Sequence, residues 1–465
     1  MRNSNFGIIG LGTMGRNLLL NIVEKGFVGT GYDPDADQRV ALSHAASDLP
    51  VTVADSLEDF VMSLERPRKI LILVPAAQVA PLFDDLVNNL ESGDVVVDCG
   101  NSFFKDTERN CTIAKERGIK FFGAGVSGGE RGARNGASIM VGGDEADYHL
   151  VEEILVGASA KFGEENCCAL VGPGGAGHLV KMIHNGIEYA LMQSIAETYD
   201  LLRNVHGFSN QQIAELFISW NSGILRSFLV EISAGILRKK DDQTDKELVG
   251  LVSDVAGQKG TGMWTSTTAM EFGVPVPSID AAVAMRQLSS RKNLRVALGN
   301  RFGSVQVESS SELPSAHDVE AMLMISFISS FAQGFELMKS VSADKGYRID
   351  LKTVASIWRG GCIIRAKLLN EIVRAFGSGD SIHMFEDGPI GDLIASNLSA
   401  ARKVAGCALT NGIPFMASAA SLGYLEAISR AELPTNLIQA QRDHFGAHTY
   451  RRMDREGIFH TEDWL

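Results

Sequence analysis

Several polar residues recur at helical spacing in one otherwise apolar stretch of the sequence. His184, Asn185 and Glu188 lie three, four and seven residues after Lys181, and Tyr189 follows them. Residues at these intervals share one face of an α-helix. Because a buried charge without a partner is costly, this face must meet water, a polar partner or a ligand. A lysine and a glutamate placed in this way can act as base and acid; a solvated face without chemistry is the alternative.

The length and composition of the chain indicate the kind of protein that contains this helix. The chain has 465 residues, of which 45% are hydrophobic and 21% charged. This length predicts roughly two or three domains of a soluble protein. No uninterrupted apolar run reaches the length of a membrane span, and the N-terminus leads into a strand without a signal-peptide pattern. We therefore expect a cytoplasmic protein that does not contact membranes.

Charge and cysteine usage narrow the classes of partner. The net charge of −13 argues against nucleic-acid binding but leaves room for a local basic pocket that holds an anionic metabolite. The six cysteines contain no Cys-x-x-Cys pair and no metal-ligand spacing. Free thiols in a reducing compartment, and no metal, are therefore expected.

The first residues carry a dinucleotide-binding pattern. Gly10, Gly12 and Gly15 fit G-x-G-x-x-G between an apolar run and a predicted helix over 17–25, and a second predicted strand ends just before Asp33. Strand, glycines, helix, strand and terminal acid in this order are typical of a Rossmann-type unit. The glycines permit a tight turn close to a pyrophosphate, and the helix N-terminus supplies N–H donors.

Further buried strands alternate with helical sequence and predict a doubly wound sheet. These strands are predicted over 69–74, 94–98, 121–122 and 138–141. Ligands bind at the carboxyl ends of such strands, where the loops over 74–76, 99–102 and 126–129 fall. The glycine-rich stretch 127–136 also lies there, and its N–H groups suit a carboxylate; an ordinary turn is the alternative.

A helical part begins after the glycine-rich boundary 172–177 and extends to about residue 430. It contains a weak internal repeat, because the stretch from Trp220 to Arg226 resembles that from Trp358 to Arg365. The second copy has no equivalent of the polar stripe. Chemistry is therefore predicted in the first copy, and packing or dimerisation in the second.

Two more segments of this part favour ligand contacts. The small-residue loop over 254–265 carries Lys259 and Thr261 ahead of a helix, which suits an anion; a helix-capping loop is the alternative. Arg286 lies in a mostly apolar helix, so its guanidinium needs a partner. After Pro434 the chain is polar but rich in aromatic residues and histidines, which indicates an ordered, docked tail rather than a disordered one.

These motifs resemble those of the decarboxylating 6-phosphogluconate dehydrogenases, within the wider β-hydroxyacid dehydrogenases. The resemblance covers essentially the whole chain through GLGTMGRNL, GVSGGERGAR, GAGHLVKMIHNGIEY, GQKGTG, IWRGGCIIR and QAQRDHFGAHTY. It implies an α/β Rossmann domain over 1–176, a large duplicated all-helical domain over 177–434, and a tail over 435–465. That tail would thread into the partner subunit of a homodimer.

The resemblance also assigns roles to single residues. It implies that Lys181 is the general base and Glu188 the general acid. The residues that would hold the sugar-acid end are Asn101, Ser127, Gly128, Gly129, His184 and Asn185. The residues that would hold the phosphate are Tyr189, Lys259, Thr261, Arg286 and Arg442. Arg442 and His448 would reach the substrate from the other subunit. The cofactor would contact Gly10, Gly12, Thr13, Met14, Gly15, Asp33, Val74 and Asn101.

The implied reaction is the oxidative decarboxylation of 6-phosphogluconate to ribulose 5-phosphate and CO2, as in the pentose phosphate pathway, without a metal. A neutral lysine accepts the C3 hydroxyl proton as hydride leaves C3 for the nicotinamide. Desolvation in a pocket can lower a lysine pKa for this step. The β-keto acid then loses CO2, and the glutamic acid protonates the resulting enediol.

The chain departs from the family pattern at several positions. Cys99 stands where a glycine is usual, and Pro75 and Met263 stand where lysines are usual. After the second strand the family's Asn-Arg-Thr is replaced by the run 33–35, Asp-Pro-Asp. Because Asp33 suits ribose hydroxyls and repels a 2′-phosphate, we predict a preference for NAD over NADP. The lysine missing at Met263 leaves 6-deoxy-6-sulfogluconate as an alternative substrate.

Two other functions share some of these sequence features. A shorter-chain β-hydroxyacid dehydrogenase, such as 3-hydroxyisobutyrate dehydrogenase, shares the glycine motifs and the lysine. It lacks the duplicated helices and the tail that carries Arg442 and His448. A non-catalytic dinucleotide-binding protein would be favoured by loss of Lys181 or Glu188, but both are present.

Overall fold

The computed structural model describes residues 4–303, 313–377 and 383–465. The chain divides into two compact units, Met1–Ser421 and Leu422–Leu465. The predicted lead-in to the first strand at residues 1–3 lies outside the described residues, as do 304–312 and 378–382 of the predicted helical domain. The domain boundaries placed after residues 176 and 434 remain predictions.

An eight-stranded sheet forms the first part of the larger unit, in the order β10-β7-β6-β5-β4-β1-β2-β3. Its strands are β1 Phe6–Ile9, β2 Gly29–Tyr32, β3 Val51–Val53, β4 Lys69–Ile72, β5 Val95–Asp98, β6 Lys120–Ser127, β7 Ser138–Gly142 and β10 Cys168–Gly172; β8 Lys161–Phe162 and β9 Glu165–Asn166 pair separately. All neighbours in the sheet are parallel except β6 and β7. The predicted doubly wound sheet is therefore confirmed, with β3 and β10 as additional edge strands.

The strands are buried on both faces, which explains why they appear as unbroken apolar runs. On one face Ile8 and Leu71 pack against Leu18 of the first helix; on the other, Ile9 and Ile70 belong to a second core cluster. Each such side chain contributes about 1.5–3 kcal/mol when it is fully buried. Two hydrophobic cores, one on each face, therefore pack the sheet against its covering helices.

Helices cover both faces of this sheet. They are α1 Thr13–Val23, α2 Ala36–Ala45, α3 Leu57–Met62, α4 Ala76–Leu86, α5 Phe104–Glu116, α6 Gly129–Asn135 and α7 Glu152–Ala158. The first of them begins at Thr13, four residues before the predicted start, since the glycine turn leads directly into the helix. The carboxyl ends of β1, β4, β5 and β6 therefore open onto one crevice, as the sequence predicts.

The rest of the described chain is helical, as predicted. Its helices are α8 Ala176–Asn204, α9 Asn210–Trp220, α10 Phe228–Arg238, α11 Thr261–Glu271, α12 Pro277–Ser289, α13 Lys292–Phe302, α14 Ala316–Lys345, α15 Leu351–Ile357, α16 Leu368–Gly377, α17 Gly388–Thr410, α18 Met416–Ile428 and α19 Thr435–Gly446. By length and composition α14 is, within the described ranges, the one helix able to cross a membrane, and 94% of its most apolar window is buried inside the protein.

The internal repeat is visible in the order and pairing of these helices. A long helix followed by two short ones occurs as α8–α10 and again as α14–α16, and α8 packs against α14. Between the copies, Ser227 faces Ala366 in an antiparallel bridge. The Phe228 N–H donates to the Arg365 carbonyl, and the Lys367 N–H donates to the Arg226 carbonyl. Equivalent residues thus pair about a local two-fold axis.

Candidate active site

Helix α8 lies directly against the sheet because the strands beneath it carry glycines. A Cβ added at Gly125 of β6 would lie 2.3 Å from the Cβ of Lys181. One added at Gly177 would lie 2.2 Å from the carbonyl oxygen of Gly123. Any larger side chain at these positions would push the helix away. The polar stripe of α8 therefore begins beside the carboxyl end of β6, where the ligand crevice lies.

The polar face of α8 is enclosed rather than solvated. Lys181, His184 and Asn185 are buried, and the Glu188 side chain keeps 20% of its surface exposed. Tyr189 is buried as well. A face of this kind has to find its partners within the protein or in a bound molecule. The alternative of a solvated stripe without chemistry does not describe this helix.

Hydrogen bonds join the stripe to the glycine-rich loop after β6. The Ser127 hydroxyl lies 3.1 Å from His184 Nε2, and His184 Nδ1 lies 3.2 Å from the amide oxygen of Asn185. The Nδ1 atom is also 3.8 Å from a Glu188 carboxylate oxygen. A neutral imidazole that donates from Nδ1 and accepts at Nε2 satisfies these contacts. The sequence places these residues in one site, and the structure brings them together.

Burial shifts the pKa values of three residues in the polar stripe of α8. Burial lowers the pKa of Lys181, against the opposing effect of the Glu188 carboxylate. Burial raises the pKa of Glu188, against the opposing charges of Lys181 and Arg286. Burial also lowers the pKa of His184 well below its usual range, and the Lys181 charge adds to that. These shifts favour a neutral amine at Lys181 and a protonated carboxyl at Glu188, the forms in which the two groups can act as base and acid.

A cavity of about 600 Å³ collects the predicted groups from distant parts of the chain. It is lined by Met14, Asn101, Val126, Ser127, Gly128, Gly129, Lys181, Asn185, Glu188, Tyr189, Gly257, Gln258, Lys259, Thr261, Arg286 and Ile363. The loops after β5 and β6, the stripe of α8 and the loop before α11 all reach it. Among the predicted substrate residues of this unit, His184 does not line the cavity and contacts it through Ser127.

The second copy of the repeat contributes to this cavity, which the sequence analysis did not foresee. Ile363 lines the cavity, and a Cβ added at Gly128 would lie 2.3 Å from the Gly361 carbonyl oxygen. The Trp358 ring lies edge-on to the His184 ring, with centroids 5.5 Å apart. The loop from Trp358 to Arg365 therefore closes the site opposite α8. Its repeat with the loop from Trp220 was the available signal, but the sequence analysis assigned the second copy to packing or dimerisation.

Arg286 brings a guanidinium group to the cavity wall. Its guanidinium lies 3.4 Å from the Tyr189 ring centroid and donates to the Gly257 carbonyl at 3.0 Å. These are the partners that the sequence analysis required for this arginine. Stacking and one hydrogen bond fix the plane of the guanidinium, with Lys259 and Thr261 beside it on the cavity wall. An anion is the ligand that such an arrangement suits.

Met263, the position of the missing family lysine, lies outside this cavity lining. Its side chain sits in the first turn of α11 and is 44% exposed. A lysine at this point would add its charge at the surface rather than in the cavity. The structure therefore gives no support to the sulfonate alternative, which rested on the loss of that charge.

The glycine turn after β1 fits a dinucleotide pyrophosphate. Gly10 has φ +96°, and a Cβ added there would lie 2.4 Å from the Leu73 carbonyl oxygen. A Cβ added at Gly15 would lie 1.8 Å from the Gly10 carbonyl oxygen. Gly12 caps α1 without a side-chain hydrogen bond, so the first N–H groups of the helix are available to an anion.

The last two predicted site residues belong to the smaller unit. Arg442 lies on α19, and His448 lies in the loop that follows this helix. Both side chains are exposed within the chain. The predicted ordered tail is present as α19 and an antiparallel bridge between Tyr450 and Phe459.

Comparison with known proteins gives the family. The sequence-family model for the NAD-binding domain of 6-phosphogluconate dehydrogenase matches residues 5–172. The sequence-family model for the C-terminal domain of this enzyme matches residues 177–464. The chain belongs to the 6-phosphogluconate dehydrogenase family. The match of this C-terminal domain to residues 177–464 gives no support to the shorter-chain alternative, which would lack the duplicated helices and the tail.

Individual relatives of the 6-phosphogluconate dehydrogenase family match the chain from end to end. The chain is 43% identical to the NADP(+)-dependent, decarboxylating 6-phosphogluconate dehydrogenase of Bacillus subtilis, covering 100% of both chains. It is 45% identical to the decarboxylating enzyme of Synechococcus elongatus, covering 99% of this chain and 100% of that one. The structure of Plasmodium falciparum 6-phosphogluconate dehydrogenase superposes with a TM-score of 0.95 at 40% identity, covering 98% and 100% of the two chains.

The predicted preference for NAD is wrong. The Bacillus subtilis relative is named NADP(+)-dependent, and the Plasmodium falciparum enzyme has been solved with its cofactor NADP+. In this chain both Asp33 carboxylate oxygens accept backbone N–H groups, from Leu11 at 2.7 Å and Asp35 at 2.9 Å. Arg39 donates to the carbonyls of Asp33 and Pro34 at 2.7 and 3.1 Å. The carboxylate thus braces the glycine turn, and a cation lies where the sequence analysis saw none.

Proposed function

We propose that this protein catalyses the NADP-dependent oxidative decarboxylation of 6-phosphogluconate to ribulose 5-phosphate and CO2, a reaction of the pentose phosphate pathway. The observation that carries the proposal is the pair of the buried Lys181 and the partly buried Glu188, which lines one cavity together with Lys259, Thr261 and Arg286. A base and an acid at one end and cations at the other match a sugar acid that ends in an anion.

Lys181 is the proposed base of the oxidation. Bound NADP supplies the acceptor for the hydride that leaves C3. The neutral Lys181 amine takes the proton of the C3 hydroxyl, so that the C–O bond becomes a carbonyl. Burial favours the neutral amine, and the resulting ammonium lies on the same helix face as the Glu188 carboxyl group.

The decarboxylation uses the same pair in the opposite sense. The 3-keto acid loses its carboxylate as CO2, and the electrons of the broken C1–C2 bond form the enediol. The Lys181 ammonium donates a proton to the C3 oxygen as negative charge develops there. Glu188, whose pKa is raised by burial, then donates a proton to the former C2, which becomes C1 of the pentose. In the same step the Lys181 amine takes back the proton of the C3 hydroxyl, so that C3 becomes the carbonyl of ribulose 5-phosphate.

The remaining cavity residues hold the two ends of the substrate. Asn101, Asn185 and the loop from Ser127 to Gly129 line the end near Lys181 and are proposed to bind the sugar acid, with His184 orienting Ser127. Tyr189, Lys259, Thr261 and Arg286 are proposed to bind the phosphate. The stacked Arg286 guanidinium is held before substrate arrives, so little of its rotamer freedom is lost on binding.

We also propose a homodimer in which the tail of each subunit supplies Arg442 and His448 to the site of the other. Both side chains are exposed in the smaller unit, next to apolar side chains of the same unit that are also exposed, Leu437, Ile438 and Phe445. Exposed apolar residues grouped in this way are typical of a surface that binds another protein.

Arg39 is the proposed contact for the 2′-phosphate of NADP, because Pro34 occupies the usual position of an arginine. Replacing Arg39 with alanine should lower kcat/KM for NADP by about tenfold or more, the usual worth of a hydrogen bond between charged groups. The kcat/KM for NAD in the same variant is the matched control and should stay near its wild-type value. Equal losses with both cofactors would contradict this role for Arg39.

The substrate is tested by comparing 6-phosphogluconate with 6-deoxy-6-sulfogluconate in NADPH-forming assays. The wild type should prefer the phosphate by at least about tenfold in kcat/KM, because a phosphate brings a second negative charge to the cations. Met263→Lys should change neither value, since Met263 does not line the cavity; Met270→Lys, at another exposed position of the same helix, is its control. A wild-type preference for the sulfonate would overturn the proposed substrate.

A further inference from the structure

The smaller unit, Leu422–Leu465, is organised around one enclosed carboxylate. The Asp443 side chain has no exposed surface. One of its oxygens accepts from the Thr449 N–H and faces His460 Nδ1, both at 2.9 Å. The other accepts from the Thr461 N–H and from the Trp464 indole N–H, both at 3.0 Å. A single side chain thus joins α19, the loop after it and the last residues of the chain.

These bonds hold the carboxylate in its ionised form. Burial raises the pKa of Asp443, but the donors from Thr461, His460 and Trp464 outweigh it and lower the pKa to about 2. The carboxylate therefore accepts all its hydrogen bonds at neutral pH, and they would weaken only in strong acid.

The loop that Asp443 contacts has an unfavourable backbone on both sides of His448. Ala447 has φ +49° and Thr449 has φ +59°, in the left-handed region that side chains with a Cβ rarely adopt. For a β-branched residue such as Thr449 this conformation needs support from its surroundings. A Cβ added at Gly446 would also lie 2.8 Å from the His448 ring, so the loop has little freedom.

The support comes from both sides of the Thr449 residue. Its N–H donates to the Asp443 carboxylate, and its carbonyl accepts from the Gln439 side chain at 2.5 Å. Gln439 also accepts from Arg442 at 3.0 Å. The two groups of the tail that are proposed to reach the neighbouring site are therefore tied to the same small network.

We propose that Asp443 is a positioning residue for the reaction: it fixes the left-handed turn that presents His448, and through it the last residues of the chain brace the tail before it meets the partner subunit. This inference rests on the proposed function of the tail. In this arrangement His460, Thr461 and Trp464 serve the active site without touching substrate.

The test compares full-length dimers of Asp443→Asn with the wild type. An asparagine keeps the shape but turns an N–H2 group towards donors that need an acceptor. The KM for 6-phosphogluconate should rise by about tenfold or more, as expected when hydrogen bonds to a charged group are lost. The KM for NADP and the dimer fraction should stay close to wild type, while the Tm of the dimer falls by about a few degrees because buried donors lose their acceptor. Loss of dimers or an equal rise in the KM for NADP would make Asp443 a folding residue and overturn the proposal.

Thr449→Gly separates positioning from general stability. Glycine adopts a positive φ without a steric penalty. Adding Thr449→Gly to Asp443→Asn should therefore lower the raised KM for 6-phosphogluconate several-fold, back towards the wild-type value. By itself it should change the KM little. No recovery in the double variant would overturn the proposed link through the left-handed turn.

Arg442→Ala and His448→Asn distinguish failure of this inference from failure of the proposed function. If both raise the KM for 6-phosphogluconate and Asp443→Asn does not, the inference is overturned while the tail keeps its role. If neither raises it, the tail does not serve the substrate, and the proposed exchange falls together with the inference.

Discussion

Replacing Lys181 with methionine is expected to lower kcat by about 10²–10⁴-fold, the usual worth of a positioned proton transfer. Methionine nearly preserves the volume of the buried stem, and it removes a charge whose burial is unfavourable. The fold and the glycine turn should therefore be unaffected. The measurement is kcat for NADPH formation, together with the Kd for NADP and the Tm of the variant.

Two controls identify the role of the amine. Lys181→Arg should be about as inactive as Lys181→Met, because a guanidinium stays protonated and cannot accept the hydroxyl proton. Lys259→Met removes a lysine from the same cavity and should mainly raise the KM for 6-phosphogluconate. Turnover near the wild-type rate in Lys181→Met would remove Lys181 from its proposed role.

Mixing two inactive variants is expected to restore activity if the tails are exchanged. Lys181→Met lacks the base and Arg442→Ala lacks the tail cation, so each homodimer should be nearly inactive. After dissociation and random reassociation of equal amounts, half of the dimers are mixed and each has one site with both groups intact. Activity should therefore return to about one quarter of the wild-type value.

The control for this experiment mixes variants that affect the same part of the site. Lys181→Met with Lys259→Met should restore no activity beyond that of the parents, because both residues line the cavity of one chain. Heterodimer formation is measured with a mass tag on one chain. Tagged heterodimers without recovered activity would mean that Arg442 serves its own subunit.

The local patterns of the sequence were sufficient to predict the sheet and the polar face of α8 that carries the proposed catalytic groups. The glycine turn and the buried runs predicted β1, β4 and β5 because strands covered on both faces are apolar throughout. The stripe from Lys181 to Glu188 was predicted because helical periodicity alone places polar residues on one face. Edge strands β3 and β10 were not predicted, since both are less fully buried than the central strands and β3 has only three residues.

Other features depended on contacts that spacing does not encode. From the sequence, Asp33 was predicted to bind a ribose, yet its carboxylate oxygens accept backbone N–H groups. Arg39 of the next helix donates to the Asp33 carbonyl, a contact that the spacing does not predict. Ile363 lines the cavity because the two helical copies pack together. This packing brings the loop that contains Ile363 against the loop after β6. The network around Asp443 likewise joins residues that are far apart in the tail.

The most direct test of the account follows both products of one turnover. Wild-type protein with NADP and 6-phosphogluconate labelled with ¹³C at C1 should release one labelled CO2 for each NADPH formed, leaving unlabelled ribulose 5-phosphate. This ratio is expected because oxidation at C3 makes the C1 carboxylate a leaving group, and Glu188 completes the step. NADPH formed without labelled CO2, or no NADPH at all, would contradict the account.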